Sequence, residues 1–115
     1  MNIISHTMLP RRLLEGCSTQ TVAGAALCQA PFEVQVHTLD AGASAEPETH
    51  PEAQVVLALA GSGKLLMDGG PLRFSAPCTL LIPARSSFQF VNNAATPMQL
   101  VSVFQPTPDR DVAQP

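Results

Sequence analysis

Residues able to bind a metal or transfer a proton are concentrated between Gly42 and Gly61. They are Glu46, Glu48, His50, Glu52 and Gln54. Glu48 and His50 are two positions apart, so on an extended strand both side chains project from the same face. Carboxylate and imidazole groups bind first-row divalent metals, and an amide oxygen binds them weakly. The run therefore offers metal-capable side chains, and Glu48 and His50, which share a face, are also the candidate catalytic acid–base pair.

The same residues have a metal-free interpretation. His50 would then hydrogen-bond to Glu48 or Gln54 inside a polar pocket. Glu46 and Glu52 are interpreted as solvated loop residues, because only Glu48 is in phase with His50.

A second group of candidate binding residues lies nearer the carboxyl end. Arg85 sits at a bend and is a candidate contact for an anionic ligand, although an exposed arginine paired with a loop carboxylate is the simpler interpretation. Phe88 and Phe90 share one face of their strand and are predicted to form an apolar pocket wall, which core packing would explain equally well. His37 is interpreted as a surface or dimer-contact histidine.

Short strands must position these residues. From Thr19 onward, short apolar segments alternate with Gly, Pro, Asn and Asp, a pattern typical of an all-β protein. We predict strands in TVAGAALCQ, FEVQVHTLD, QVVLALA, TLLIP, SFQFVNN and MQLVSVFQ, and a hairpin in KLLMDGGPLRF that turns at Asp68–Gly70. In FEVQVHTLD we expect Phe32, Val34 and Val36 on the buried face. QVVLALA is continuously apolar, so we expect it to be covered on both faces.

The chain divides into three regions. Residues 1–18 form an N-terminal segment in which Pro10 opens a short helical turn that Gly16 ends. Residues 19–105 form the all-β region. Residues 106–115, rich in proline and polar residues, are predicted to be a flexible tail.

Two stretches resemble the conserved motifs of the cupin superfamily. The first cupin motif is a glycine, five residues, His-x-His, three or four residues, Glu, six residues and a glycine. Gly42 and Gly61 fall at the right distances, His50 matches the second histidine, Glu48 replaces the first, and Gln54 replaces the glutamate.

The second motif is a glycine, five residues, Pro-x-Gly, two residues, a histidine, three residues and Asn. Pro83 and Asn92 match it. Pro77 and Arg85 replace the two glycines, and Phe88 replaces the histidine. The resemblance covers about residues 20–105 and implies a double-stranded β-helix, the cupin jelly-roll barrel, with the site inside it.

The resemblance also implies a metal site that here has lost ligands. A cupin site has three histidines and one glutamate, whereas the matching positions hold Glu48, His50, Gln54 and Phe88. These residues make a poor site for Zn. They could bind Fe, Mn or Ni only weakly, with open coordination positions left to water or substrate. Two functions follow as alternatives: binding of a small organic molecule in the barrel, or a metal-dependent dioxygenase, isomerase or lyase acting on a small acid or sugar derivative. A third alternative is a purely structural or regulatory domain that has lost its site.

The amino-acid composition limits the classes of binding partner. With 115 residues and a net charge of −3, the chain is one domain without the basic surface that nucleic-acid binding requires. No apolar run approaches a membrane span, and three widely spaced cysteines do not suggest a disulfide framework. We expect a cytoplasmic protein. We also expect a homodimer, because the apolar strand TVAGAALC carries too little charge to protect a free sheet edge.

Overall fold

The computed structural model describes residues 3–106. Within these residues, ten strands form two antiparallel sheets that pack against each other as an all-β jelly-roll barrel, as the sequence predicts. The strands are β1 (Arg12–Leu14), β2 (Cys17–Ala23), β3 (Glu33–Leu39), β4 (Glu48–Thr49), β5 (Gln54–Ala60), β6 (Ser62–Met67), β7 (Gly70–Ser75), β8 (Cys78–Ile82), β9 (Ser87–Val91) and β10 (Met98–Phe104). The short helices are a 3₁₀ turn at His6–Met8 and α1 at Ala25–Cys28.

The larger sheet has six strands in the order β1-β2-β3-β10-β5-β8, and the smaller has four in the order β4-β9-β6-β7. Alternation places one side of each strand between the sheets. The core comprises Leu39, Val56, Ala58, Leu65, Ile82, Phe88, Phe90, Met98 and Leu100. In β5 the inward positions start at Gln54, which fixes the register on which the site depends.

The predicted hairpin is present as β6 and β7. Met67 pairs with Gly70, so Asp68 and Gly69 form the turn between them. Gly70 has φ of 109°, a conformation that a residue with a Cβ rarely adopts.

A buried asparagine ties the ends of three strands together. The Nδ2 group of Asn92 lies 3.1 Å from the carbonyl oxygens of both Leu39 and Asp40 and 2.8 Å from that of Thr96. Its Oδ1 accepts the N–H of Ala94 at 3.0 Å. This contact connects the end of β9 to the end of β3 and to the turn before β10.

The prediction for the N-terminal segment was wrong. The stretch from Pro10 to Gly16 contains β1 instead of a helical turn, and β1 pairs with β2 so that Leu14 lies opposite Cys17. Gly16 has φ of 80° and reverses the chain between the two strands. Pairing of β1 with the main sheet therefore outweighs the helical signal of Pro10.

The strand predicted in TVAGAALCQ ends early. β2 stops at Ala23, and the next residues form the single turn of α1, in which the N–H of Cys28 donates to the carbonyl of Gly24 at 3.0 Å. β2 also pairs with β1 on one side and β3 on the other. The free edge that was expected to drive dimerisation there is therefore already covered within the chain.

The faces of β3 are opposite to the prediction. Gln35 and His37 point to the space between the sheets, whereas Phe32 is exposed. The reason is that the space between the sheets contains a polar cavity, so its lining includes polar side chains. Residues 107–115 lie outside the described part of the chain, and with them most of the predicted tail.

The outer face of β5 is not covered. We predicted burial on both faces of QVVLALA, but Val55 and Leu59 are exposed in the single chain. Within residues 3–106 the structure contains no helix with the length and hydrophobicity needed to cross a bilayer.

Candidate functional site

A cavity of about 470 Å³ lies between the two sheets. Its inner wall is formed by inward residues of neighbouring strands: His37 of β3, Ser102 and Leu100 of β10, and Gln54 of β5. Phe88 and Phe90 of β9 form the opposite wall. Exposed charged residues line the outer part: Arg12, Glu15, Glu46 and Glu48.

Glu48 and His50 form a close pair on this cavity. The Oε1 atom of Glu48 lies 2.7 Å from Nε2 of His50. On the other side of the ring, Nδ1 is 3.6 Å from Oε1 of Glu52. Glu52 was interpreted from the sequence as a solvated loop residue, but it is only partly exposed and completes a carboxylate–imidazole–carboxylate row.

Aromatic rings hold His50 in place. Its ring stacks on that of Phe88 with centroids 5.9 Å apart and lies 5.7 Å from that of Phe104. Phe88 stands directly opposite Glu48 in the pairing of β9 with β4. The residue at the motif's histidine position is thus an apolar support for His50 rather than a third donor.

Gln54 is the buried polar residue that faces the cavity without a partner. Its side chain is 5% exposed, and its Nε2 atom has no hydrogen-bond partner among the described residues. Strand geometry explains its place, because Gln54 and Val56 are both buried while Val55 between them is exposed. The register therefore does not slip between His50 and β5.

His37 is a cavity residue that sequence reasoning missed. Its Nε2 lies 2.9 Å from Oγ of Ser102, and its Nδ1 lies 3.1 Å from Oγ1 of Thr19. Burial lowers the pKa of His37, the charges of Arg12 and His50 lower it further, and Glu48 partly offsets this. The lowered pKa favours the neutral ring, and both ring nitrogens lie within hydrogen-bond distance of hydroxyl groups.

Two signals in the sequence were available for these residues. His37 is in phase with Leu39, a core residue at the end of the same strand. Ser102 is in phase with the buried apolar residues of β10. A polar residue in the inward phase of a strand indicates a lined cavity rather than a solvated face.

Arg85 has a different environment from the one expected. The described residues that line the cavity do not include Arg85, and its side chain is exposed. Its backbone N–H donates to the carbonyl of His50 at 2.7 Å, and its φ is 61°. It contributes to the site through its backbone, by fixing the chain at His50.

The comparison with known families identifies the chain. Residues 35–104 match the family model described as the cupin domain. The chain belongs to the cupin family. No curated protein matches the sequence of this cupin.

Solved structures share its fold. A cupin 2 conserved barrel domain protein from Salinispora arenicola superposes with a TM-score of 0.75 at 24% identity, covering 100% of this chain and 97% of that one. A predicted oxalate decarboxylase from Thermotoga maritima gives 0.79 at 12% identity, covering 92% and 100%. A sugar phosphate isomerase from Silicibacter pomeroyi gives 0.78 at 23% identity, covering 93% and 77%. At these identities the likeness establishes the fold alone.

Cupins often bind a metal, and the donor set of this cupin does not fit one. Among the described residues, no three or more His, Cys, Asp and Glu side chains are grouped so that they could hold a metal ion. The one imidazole of the motif is already flanked by Glu48 and Glu52, and Phe88 occupies the position of a further ligand. This donor set therefore leaves a metal ion too few free ligands.

Proposed function

We propose that this cupin binds a small, neutral organic molecule in its cavity, and that the molecule presents a carbonyl oxygen to the amide of Gln54. The observation that carries the proposal is the unpartnered Nε2 of Gln54 on the cavity wall. A buried donor without an acceptor destabilises a protein by about 1–3 kcal/mol. An oxygen atom of a bound molecule would remove this penalty.

The shape of the cavity supports a ligand of this size. Its volume of about 470 Å³ falls in the usual range for small-molecule sites. Phe88, Phe90 and Leu100 supply an apolar surface for the body of the molecule. Gln54 and the hydroxyl of Ser102 supply the polar groups that would orient it.

The charge of the site supports a neutral ligand. The inner wall contains uncharged groups, because burial lowers the pKa of His37 and keeps its ring neutral. Near the opening, Glu15, Glu46 and Glu48 outnumber the single cation Arg12 among the described residues that line the cavity. An anion would therefore meet a negative potential at the entrance and no cation inside.

Two isosteric probes test the proposal. Acetophenone carries a carbonyl oxygen where α-methylstyrene carries a methylene group, so the pair differs mainly in the acceptor. We expect acetophenone to bind about fivefold to tenfold more tightly, as one added hydrogen bond of about 1–1.5 kcal/mol requires. Two-dimensional ¹H–¹⁵N NMR should show the Gln54 side-chain amide shifting on titration.

A matched variant separates this contact from general apolar binding. Gln54→Met keeps the volume and removes the amide, so it should abolish the preference for acetophenone while α-methylstyrene binds as before. Equal affinities of the two probes for the wild-type protein would contradict the proposal, as would a preference that survives in Gln54→Met.

A second candidate function is proton transfer on the bound molecule. It is favoured by one observation, the 2.7 Å contact between Glu48 and His50 on the cavity wall. Such a pair can take a proton from a carbon beside a carbonyl and return it. Solved structures with this fold include a polyketide cyclase from Streptomyces resistomycificus and the sugar phosphate isomerase, so the fold itself is compatible with catalysis.

Hydrogen exchange measures this activity directly. In D₂O, a working base would replace the methyl protons of acetophenone with deuterium faster than buffer does, and His50→Ala would return the rate to that of buffer. If acetophenone binds but its methyl protons do not exchange, the protein binds this probe without transferring a proton on it. The binding proposal would then stand and proton transfer on this probe would be excluded.

A further inference from the structure

A serine and a histidine contact each other on the inner wall of the cavity. Nε2 of His37 lies 2.9 Å from Oγ of Ser102, and Nδ1 of the same ring lies 3.1 Å from Oγ1 of Thr19. Strand register brings them together, because Thr19 stands opposite His37 in the pairing of β2 with β3, and β3 pairs in turn with β10. All three residues line the cavity, and Ser102 is 3% exposed. An imidazole is thus held between two hydroxyl groups at a site large enough for a small molecule.

This arrangement is the one that activates a serine as a nucleophile. The hydroxyl needs a base within about 2.6–3.2 Å, and the base needs a third group that fixes its ring. With the ring proton on Nδ1, His37 donates to Thr19, and Nε2 accepts the proton of the Ser102 hydroxyl. Burial lowers the pKa of His37, which favours the neutral ring that can accept this proton. The charge of Glu48 raises the pKa in opposition, and it would stabilise the imidazolium that forms.

The unpartnered amide of Gln54 lies on the same wall. Ser102 pairs with Val56 across β10 and β5, so Gln54, two residues before Val56, is the diagonal neighbour of Ser102 on one face. Diagonal neighbours of an antiparallel pair have Cα atoms about 7–8 Å apart. A carbonyl group whose oxygen accepts from Nε2 of Gln54 can therefore present its carbon to Ser102. A donor at this place is also what the negative oxygen of an acyl-transfer intermediate requires.

We propose that the cavity is an esterase site in which Ser102 is the nucleophile, His37 its base and Gln54 the donor to the oxyanion. Thr19 is the positioning residue that fixes the ring of His37. The substrate class is a small, uncharged ester, and this choice rests on the neutral carbonyl ligand proposed above.

The reaction needs only the ester and water. The Ser102 oxygen attacks the carbonyl carbon while its proton passes to Nε2 of His37, and the carbonyl oxygen becomes an oxyanion that accepts from Gln54. The bond between the carbon and the leaving oxygen then breaks, and the leaving alcohol takes the proton from His37. Water gives a proton to His37 and attacks the acyl-serine. The carboxylic acid leaves, and the proton returns to the Ser102 oxygen.

Two uncharged aryl esters test the proposal on the full chain. The wild-type protein should release phenol from phenyl acetate faster than buffer does. Diethyl p-nitrophenyl phosphate should release one equivalent of p-nitrophenol per chain, and mass spectrometry of the digested protein should locate the diethylphosphoryl group on Ser102. Ser102→Ala should lose both reactions. His37→Gln should slow the hydrolysis of phenyl acetate about hundredfold or more, because it removes the general base.

Ser75→Ala is the matched control. Ser75 is exposed at the end of β7 and is not among the described residues that line the cavity, so its replacement should leave both reactions unchanged. Thr19→Val removes the hydroxyl that fixes the ring of His37 and should lower kcat for phenyl acetate with little change in KM. A loss confined to KM would overturn the role assigned to Thr19.

The labelling experiment uses the wild-type chain, so it decides the question even if Ser102→Ala does not fold. The proposal is overturned if the wild-type protein does not hydrolyse phenyl acetate, if the label is absent from Ser102, or if folded Ser102→Ala retains the hydrolysis. The acetophenone titration separates this failure from a failure of the binding proposal. A protein that prefers acetophenone to α-methylstyrene but leaves phenyl acetate intact binds carbonyl compounds without cleaving esters.

Discussion

At the scale of single residues, the site is defined by groups that bond to one another instead of pointing to a shared centre. Glu48 and Glu52 flank His50, and Thr19 and Ser102 flank His37. Gln54 is the buried side chain left with an unused donor among the described residues. The proposal of an uncharged hydrogen-bonding ligand rests on this arrangement.

Replacement of Phe88 tests whether the site lacks only one ligand for a metal ion. We expect Ni²⁺ to bind the wild-type protein weakly or not at all, because one imidazole and one carboxylate are a poor site. Phe88→His places a second imidazole opposite Glu48 and beside His50, and it should raise the Ni²⁺ affinity at least tenfold. Isothermal titration calorimetry measures the Ni²⁺ affinity of both proteins. Phe90→His, at the next inward position of β9, is the control.

The titration of His37 predicts how stability depends on pH. Burial lowers the pKa of His37 in the folded protein, so the unfolded chain binds the proton more tightly. The neutral ring therefore contributes stability above the unfolded pKa of about 6.5, and this contribution is lost as the pH falls toward the folded pKa.

Thermal unfolding between pH 7.5 and pH 5 measures this contribution. The wild-type protein should lose stability over that range, and His37→Gln should lose less. An equal loss in both proteins would show that other groups are responsible. His6→Gln is the control, because His6 lies at an exposed position outside the cavity.

The sequence predicted some of these residues for physical reasons and could not predict others. Glu48, His50 and Gln54 could be placed together because strand alternation converts even spacing into a shared face. His37 was missed, because its phase with Leu39 competed with the apolar Val34 and Val36 of the other face, so its own side of the strand could meet solvent or a cavity. Only the closure of the two sheets decides between these environments.

At the scale of elements, turns and strand pairing determine where the site residues stand. The Asp68–Gly70 hairpin was predictable because its conformation requires particular residues. The strand β1 was not, because three residues in a strand carry almost no pattern, and their conformation comes from pairing with β2. The length of β2 was overestimated for a related reason, since a run of small apolar residues is compatible with a strand or with a helical turn.

The turn at Arg85 gives a prediction at this scale. Its φ of 61° is unfavourable for a residue with a Cβ by about 1–2 kcal/mol, whereas glycine adopts it freely. After the extra entropy that glycine loses on folding, Arg85→Gly should raise stability by up to about 1 kcal/mol. Thermal unfolding should show a midpoint a few degrees higher. Arg85→Ala keeps the unfavourable conformation and should remain at the wild-type value.

At the scale of the whole molecule, the fold was predictable and the function was not. Frequent turns and alternating strands specify a β-barrel, and the motif spacing specifies which one. Which ligand fits depends on the side chains that face each other across the cavity. These residues are far apart in the sequence, so the sequence alone does not show which of them meet. A cytoplasmic location and a dimer remain predictions. The wild-type oligomeric state is the measurement on which the second of these depends.

The order of strands in the larger sheet has a consequence for synthesis. β10 is the last strand of the described chain, and it lies between β3 and β5 at the centre of that sheet. While the protein is being translated, β3 and β5 cannot be joined until Phe104 has left the ribosome, so the nascent chain exposes unpaired strand edges until β10 has emerged. A ribosome that terminates before Met98 therefore releases a chain without the strand that joins the two halves of the sheet.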